Sequence, residues 1–444
     1  MKVIVSKFGG SSLSDSFQME KVKNIVESDK NRRYVIPSAP GKRFSQDNKI
    51  TDLLYLCKTH IEHNIAVDQV FEVIRERYVS IVSNLKLKVD IQKHLNDIKE
   101  NMKAGASVDY IASRGEYLNG IILAEYLGFD FIDAKDVIVF NKRGRLLEEE
   151  TNKLLKETLA KHDKAVIPGF YGAYPDGNIK TFSRGGSDIT GALVSKAVEA
   201  VIYENWTDVS GFLMADPRIV DNPLPIKVIS YKELRELSYM GASVLHEEAV
   251  FPVREVDIPI NIRNTNEPDH PGTQITSEIS TDNDNVITGI AGKKGFTVIA
   301  IYKNRMNSET GFIRKILSII EDYKISFEHI PTGIDTVSVV ISNEEIEGVL
   351  DDILDEIRKR LQPDTIDIFM DMALIATVGY GMTRRQGVAA TLFDALYKAG
   401  VNIRMIDQGS SEMNIITGVE NKDFEKAIIA IYNAFVKKTK AHEE

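Results

Sequence analysis

Four short segments of this chain combine glycine, charge and hydroxyl in patterns suited to phosphate or carboxylate. The first is Lys7-Phe8-Gly9-Gly10-Ser11-Ser12, which joins an apolar strand to a helix. Paired glycines let backbone N–H groups approach an anion, and the helix start adds a favourable potential. Lys7 supplies a mobile cation able to stabilise a phosphoryl group in transfer. The alternative is a tight turn and nothing more. The pattern is neither the P-loop nor the three-glycine dinucleotide fingerprint.

The second segment, Phe182-Ser183-Arg184-Gly185-Gly186-Ser187-Asp188, again places glycines before a helix. Arg184 offers a fork for a substrate carboxylate. Asp188 is either a helix cap or a group that acts with its neighbours. The third, Trp206-Thr207-Asp208-Val209-Ser210-Gly211, leads into Ala215-Asp216-Pro217-Arg218. A strand-end loop of this kind holds a nucleotide or magnesium, or is an ordinary turn organised by Asp216 and Pro217. In the fourth, Ala112-Ser113-Arg114-Gly115-Glu116, the glutamate either pairs with an amino group or favours a helix start. Ser38 and Thr51 flank a polar loop, Ala39 to Ile50, long enough to reach over a site.

These segments need elements to hold them. Val3–Val5, Tyr34–Ile36, Asp130–Ile132, Ala165–Ile167 and Ala200–Tyr203 read as buried strands. Met19, Val22 and Val26 repeat on one helical face behind a cap at Ser14 or Ser16. Strand, glycine turn and helix in alternation predict an α/β domain with a largely parallel sheet and ligands at the strands' carboxyl ends. The stretch 81–105 is charged and helical, either an excursion over the active-site face or a helix pair on the surface. From about 296 the chain repeats itself at an offset of 76 residues: Met306 on Met382, Gly311 on Gly387, Gly333 on Gly409, Val337 and Val339 on Met413 and Ile415. Each copy reads βαββα, with a further strand expected after the last helix. Neither copy carries a catalytic cluster, which points to sensing or assembly.

A chain of 444 residues is expected to form two or three domains. Net charge of −10 excludes a generally basic nucleic-acid binder. A single cysteine, Cys57, cannot form an internal disulfide and suits a reducing cytoplasm. The start reads as a strand rather than a signal peptide, and no run suits a membrane span. The eight histidines are scattered, so no zinc cluster and no direct protein metal site is expected.

Together the motifs resemble the aspartate kinases of the amino-acid kinase superfamily. The resemblance runs from Lys2 to about Val436, through Lys7–Ser12, Ser113–Glu116, Pro168-Gly169-Phe170, Thr181–Gly191 and Thr207–Arg218. It implies an amino-acid kinase fold over 1–292 and two α+β ACT-like (ferredoxin-like) regulatory units at 296–364 and 372–436. The implied reaction converts ATP, with Mg²⁺, and L-aspartate into ADP and 4-phospho-L-aspartate, opening the route to lysine, threonine and methionine. Thr51, Glu116, Phe170, Arg184 and Ser187 fall in the aspartate pocket, with Glu116 on the amino group and Arg184 on the α-carboxylate. Lys7 and Asp188 take the catalytic positions. Lys7, Gly9, Gly10, Ser11, Trp206, Thr207, Asp208, Asp216 and Arg218 fall on the ATP side. The family's usual lysine is replaced by Ser243, and its proline by Glu247. The resemblance further implies a homodimer or dimer of dimers through the ACT units. An amino-acid effector, lysine first, would bind around Met306, Ser308, Gly311, Asp407, Ser410 and Asn414.

Overall fold

The computed structural model describes residues 2–183, 185–241, 251–277 and 286–440. Its contacts divide the chain into two units. One holds Met1–Phe212, Lys227–Tyr231 and Val244–Ile279; the other holds Leu213–Ile226, Lys232–Ser243 and Ser280–Glu444. A boundary at 292 follows sequence order, whereas this division assigns two earlier segments to the unit that contains the tail.

The first unit opens with β1 (Ile4–Phe8), α1 (Ser16–Ser28) and β2 (Arg32–Pro37), then four helices, α2 (Ile50–Glu62), α3 (Asp68–Asn84), α4 (Ile91–Lys103) and α5 (Val108–Leu127). There follow β3 (Asp130–Phe131), α6 (Glu148–Leu159), β4 (Ala165–Val166), β5 (Tyr171–Ala173), β6 (Ile179–Thr181), α7 (Gly186–Ala197) and β7 (Ile202–Thr207). After β8 (Val228–Ser230) comes α8 (Tyr231–Tyr239), which from Lys232 on belongs to the second unit, and then α9 (Phe251–Arg254), β9 (Ile260–Asn264) and β10 (Thr273–Thr276) of the first. Eight strands form one sheet in the order β3-β4-β2-β1-β7-β9-β10-β8. Every neighbouring pair is parallel except β9 with β10.

Side chains alternate across a strand, so Phe8 and Trp206 share one face and Lys7 and Asn205 the other. Helices α1 to α5 close over the Phe8 face in one continuous core. α7 packs on β1, β2 and β7 and approaches Lys7. In α1, Met19, Val22, Ile25 and Val26 are buried, and the cap is Asp15, whose carboxylate accepts the Gln18 N–H at 2.9 Å. Segment 81–105 falls within a helix pair, α3 and α4. Ile91, Leu95, Ile98 and Met102 pack from α4 into the shared core, and truncating Leu95 to alanine costs about 2–5 kcal/mol.

The second unit contains β11 (Gly289–Tyr302), α10 (Phe312–Asp322), β12 (Thr336–Ser342), α11 (Asn343–Ile346), α12 (Leu350–Leu361) and β13 (Thr365–Val378). It ends with α13 (Val388–Lys398), β14 (Met405–Asp407), β15 (Asn414–Glu420) and α14 (Phe424–Lys440). Gly311 and Gly387 are equivalent: each is a left-handed N-cap, at φ 76° and 83°, before α10 and α13. The sheet order is β12-β11-β13-β15-β14. The outer half of β11, Phe296–Tyr302, lies between β12 and the start of β13, while Gly289–Lys294 pairs with Ala373–Val378. The second repeat's extra strand therefore comes from before the first repeat, not from after the last helix. Gly295, at φ 89°, marks the register shift where the strand changes repeats.

Candidate active site

Lys7 lies at the carboxyl end of β1, directly opposite Asn205 on β7. Gly185, left-handed at φ 59°, starts α7 and brings Asp188 into its first turn. The Lys7 ammonium lies 2.5 Å from Asp188 Oδ1. Asn205 Nδ2 donates to the same oxygen at 2.9 Å, and Lys7 Nζ also approaches Asn205 Oδ1 at 3.4 Å. Asp188 thus engages Lys7, and the N-cap position belongs to Gly185. Tyr203 on β7 donates its hydroxyl to the Asp188 carbonyl at 3.1 Å. A Cβ on Gly191 would meet that hydroxyl at 2.5 Å, so the helix approaches β7 closely only with glycine there.

The glycine turn is held from two sides. Gly9 N–H donates to the Trp206 carbonyl at 2.9 Å, and Gly41 N–H to the Gly10 carbonyl at 2.8 Å. Gly10 and Gly41 pack backbone to backbone: a Cβ on Gly41 would lie 2.6 Å from the Gly10 carbonyl carbon. Ser12 Oγ meets Thr265 Oγ1 at 2.7 Å. The turn commits the Gly9 amide to β7, so an anion is left with the amides further along, at Gly10 and Ser11.

Glu116 stands on α5 beside Ser38 and Ala39, which follow β2. It is 5 % exposed, and its Oε2 has no hydrogen-bond partner among the described residues. Burial pushes its carboxyl up from 4.5 to about 8, opposed by the Ala39 N–H that bonds to it. A carboxylate so placed becomes anionic when a cation joins it. Gly115 permits the approach, since a Cβ there would lie 2.7 Å from Ala39 Cβ. Asn119 Nδ2 holds the Ser38 carbonyl at 2.6 Å. Thr51 is half-buried in the first turn of α2, with Tyr55 one turn further on. Burial raises the Tyr55 phenol, helped by the Asp109 and Glu116 charges.

Phe170 adopts φ +81° against the start of α7, and its N–H donates to Thr190 Oγ1 at 3.2 Å. Beside it, a Cβ on Gly169 would lie 2.5 Å from the hydroxyl of buried Ser187. Arg184, Ser243 and Glu247 lie outside the described residues. The strand before Arg184 is anchored by Asp109, which accepts the Thr181 N–H at 3.2 Å and its hydroxyl.

The expected nucleotide stretch divides. Trp206 is 1 % exposed, with its ring stacked on Phe8 at 6.0 Å and the Arg263 guanidinium 4.5 Å above it. Its side chain is a core element rather than a base platform; the carbonyl alone touches the glycine turn. Thr207 and Asp208 follow at the end of β7, with Asp208 exposed. Asp216 and Arg218 belong to the second unit and bond to each other at 2.6 Å. That bond holds the Asp216 carboxyl below its usual range.

Of the expected effector residues, Met306 is buried in the first repeat's core. Ser308 and Gly311 precede α10. Asp407 accepts from His329 Nδ1 at 2.6 Å and Asn414 Nδ2 donates to Glu236 at 2.6 Å, whereas Ser410 is exposed. Sequence reasoning missed Asn205, Tyr203 and Asn119. Only strand register and helix facing reveal them.

Lys7, Asp188 and Asn205 meet beside a glycine turn at the carboxyl end of β1, in a mixed sheet. Residues 2–264 match the amino acid kinase family, and residues 375–435 match the ACT domain. Aspartokinase 3 of Bacillus subtilis is 37% identical over 452 residues, covering 98% of each chain. The crystal structure of Clostridium acetobutylicum aspartate kinase, described as an allosteric enzyme, is 58% identical with a TM-score of 0.91, over 98% of this chain and 100% of that one. E. coli aspartokinase III is 26% identical over 98% of this chain and 100% of its own, with TM-scores of 0.74 and 0.75. It has been solved with aspartate and ADP (R-state) and with lysine and aspartate (T-state). This chain belongs to the amino acid kinase family, as an ATP-dependent aspartate kinase with a C-terminal ACT region.

Proposed function

We propose that Lys7, with Asp188 and Asn205 orienting it, stabilises the phosphoryl group as it passes from ATP to the β-carboxylate of L-aspartate. The observation that carries this reading is the Lys7–Asp188 ion pair at 2.5 Å, at the carboxyl end of β1. A carboxylate oxygen attacks the γ-phosphorus, an O–P bond forms, and the bond to the ADP oxygen breaks. The nucleophile is ionised at neutral pH, so no base is required. Alignment and charge neutralisation are the whole task. Asp188 keeps Lys7 in place rather than taking a proton.

Glu116, with its unpartnered Oε2, receives the substrate ammonium. Arg184 takes the α-carboxylate, and Thr51, Phe170 and Ser187 line the pocket. Gly10 and Ser11 offer N–H groups to the nucleotide phosphates; Thr207 and Asp208 are the further nucleotide residues of the same unit. Among the described residues no group of three or more His, Cys, Asp or Glu side chains forms a metal cage. Magnesium would be carried on the nucleotide phosphates, with no direct protein ligand. It would supply charge neutralisation at the phosphate oxygens.

The ACT region is read as the seat of feedback inhibition by lysine and of assembly into a homodimer or dimer of dimers, in a cytoplasmic enzyme. The lysine-bound T-state of E. coli aspartokinase III supports the effector. Exposed Ile368, Phe369 and Met370 on β13 support a covered sheet. Among the described residues, no helix is long and apolar enough to cross a membrane.

An ADP-release assay with Mg²⁺, ATP and a panel of amino acids tests the substrate. Turnover is expected with aspartate; turnover with another acceptor alone would overturn the assignment.

A further inference from the structure

We propose that Arg77 on α3 is a positioning residue that sets the acceptor-side loop against the phosphate turn; the inference rests on the kinase reading above. Arg77 is 4 % exposed. Its Nη1 donates to the Ser14 carbonyl at 3.3 Å and the Gly41 carbonyl at 3.0 Å, and its Nη2 to Asp47 Oδ2 at 2.7 Å. Those three acceptors belong to the two pieces that must agree in position. Ser14 closes the turn that begins at Lys7. Gly41 and Asp47 lie in the loop that leads from Ala39, beside Glu116, to Thr51 on α2.

A buried guanidinium is costly unless its donors are met. An apolar side chain would fill the same space without that cost, so the fork does something packing does not. Its planar donors hold three acceptors in one fixed fork; a lysine also has three donors, but as a point charge on a flexible stem it lacks that geometry. The loop braces itself from the other side. Arg43 donates to Asp47 through its backbone N–H at 2.9 Å and its Nε at 2.8 Å. These Arg43 bonds and the Arg77 charge hold the Asp47 carboxyl far below the usual carboxylate range, so the clamp stays charged through neutral pH. Gly41 N–H completes the circuit onto Gly10 at 2.8 Å.

The helix pair thereby gains a purpose. α4 packs against α3 and secures the helix from which Arg77 projects. The two shorter Arg77 bonds, to Gly41 and Asp47, hold the acceptor-side loop, and the longer one, to Ser14, gives that loop its reference on the turn. The glycine turn has its own anchors, Gly9 on Trp206 and Ser12 on Thr265.

The test is steady-state kinetics of the full chain, with MgADP affinity measured by calorimetry. Arg77→Met is expected to lower kcat/KM for aspartate by about 10- to 100-fold, the cost of a reactant misplaced by an ångström or so. MgADP binding should stay close to wild type. Arg77→Lys, with charge but no fork, should recover only part of the loss. If Arg77→Met does not fold, Asp47→Asn decides, with the same direction of change. Wild-type aspartate kinetics in folded Arg77→Met, or in Asp47→Asn where that variant decides, would overturn the proposal. So would an equal loss of MgADP and aspartate affinity. A wild-type enzyme inactive on aspartate would instead overturn the kinase reading itself.

Discussion

Lys7 and Asn205 stand opposite each other in the pairing of β1 with β7, and both reach the same oxygen of Asp188. Sheet register thus fixes the lysine's orientation before any nucleotide arrives. A pre-placed cation needs no reorganisation during transfer.

Lys7→Ala should keep the fold and lose about 10²- to 10³-fold in kcat, as for other removed transition-state donors. KM for both substrates should move much less. An unaltered kcat in a folded variant would refute the role.

Asn205→Ala removes one donor to Asp188 without removing the cation. A hydrogen bond of ordinary worth predicts a loss of about 3- to 10-fold in kcat. A loss as large as that of Lys7→Ala would show that Asn205 meets the substrate itself.

Glu116 gives a pH signature. Burial pushes its carboxyl to about 8 in the ligand-free protein, so it is largely protonated at neutral pH. Binding an ammonium then requires loss of that proton, and kcat/KM for aspartate should rise with pH up to about 8. The folded value lies above the ordinary one of 4.5. Its stabilising contribution is therefore full below pH 4.5 and declines as pH rises towards 8. Glu116→Gln should abolish both slopes and raise KM for aspartate. Thermal unfolding and initial rates across pH check the pair; slopes that survive the substitution would assign them to another group.

Arg184→Ala should raise KM for aspartate far more than KM for ATP, because a planar fork recognises a carboxylate in two bonds. Equal effects on both substrates would remove Arg184 from the acceptor pocket.

Lysine, titrated alone and alongside threonine and methionine at up to millimolar concentration, should inhibit the intact enzyme, with a saturating effect of about 5- to 150-fold, the span of couplings of about 1–3 kcal/mol. A chain cut near residue 292 is a poor control, since the cut falls inside β11. Substituting exposed Ser410 or Ser308 in the full chain is cleaner. No inhibition by any of the three would leave the ACT region with assembly alone.

Most of the strands and the repeat were legible because buried runs and matched glycines leave strong local patterns. Lys7, Glu116 and the glycine turns were legible because their residue types are unusual beside phosphate-like turns. Trp206 is placed on the ATP side by resemblance alone, and strand alternation turns its ring to the core, leaving only its carbonyl at the glycine turn. Asn205 and Arg77 were invisible for a different reason. Each works through partners far away in sequence, and nothing in the local composition distinguishes them from ordinary polar residues. The extra strand of the second repeat was sought after the last helix because repeats are read as contiguous blocks. The chain supplies it from upstream instead.

That upstream strand has a consequence for synthesis. β11 leaves the ribosome before either repeat is finished, and its first half waits for Ala373–Val378 to arrive. Until then Gly289–Lys294 presents an unpaired edge, with its rightful neighbour still unmade. The chain must bridge that interval with a half-built sheet, so pausing or truncation between residues 302 and 373 should yield nascent chains that chaperones retain. Completion of β13 is the moment at which both halves of β11 have their β13 partner.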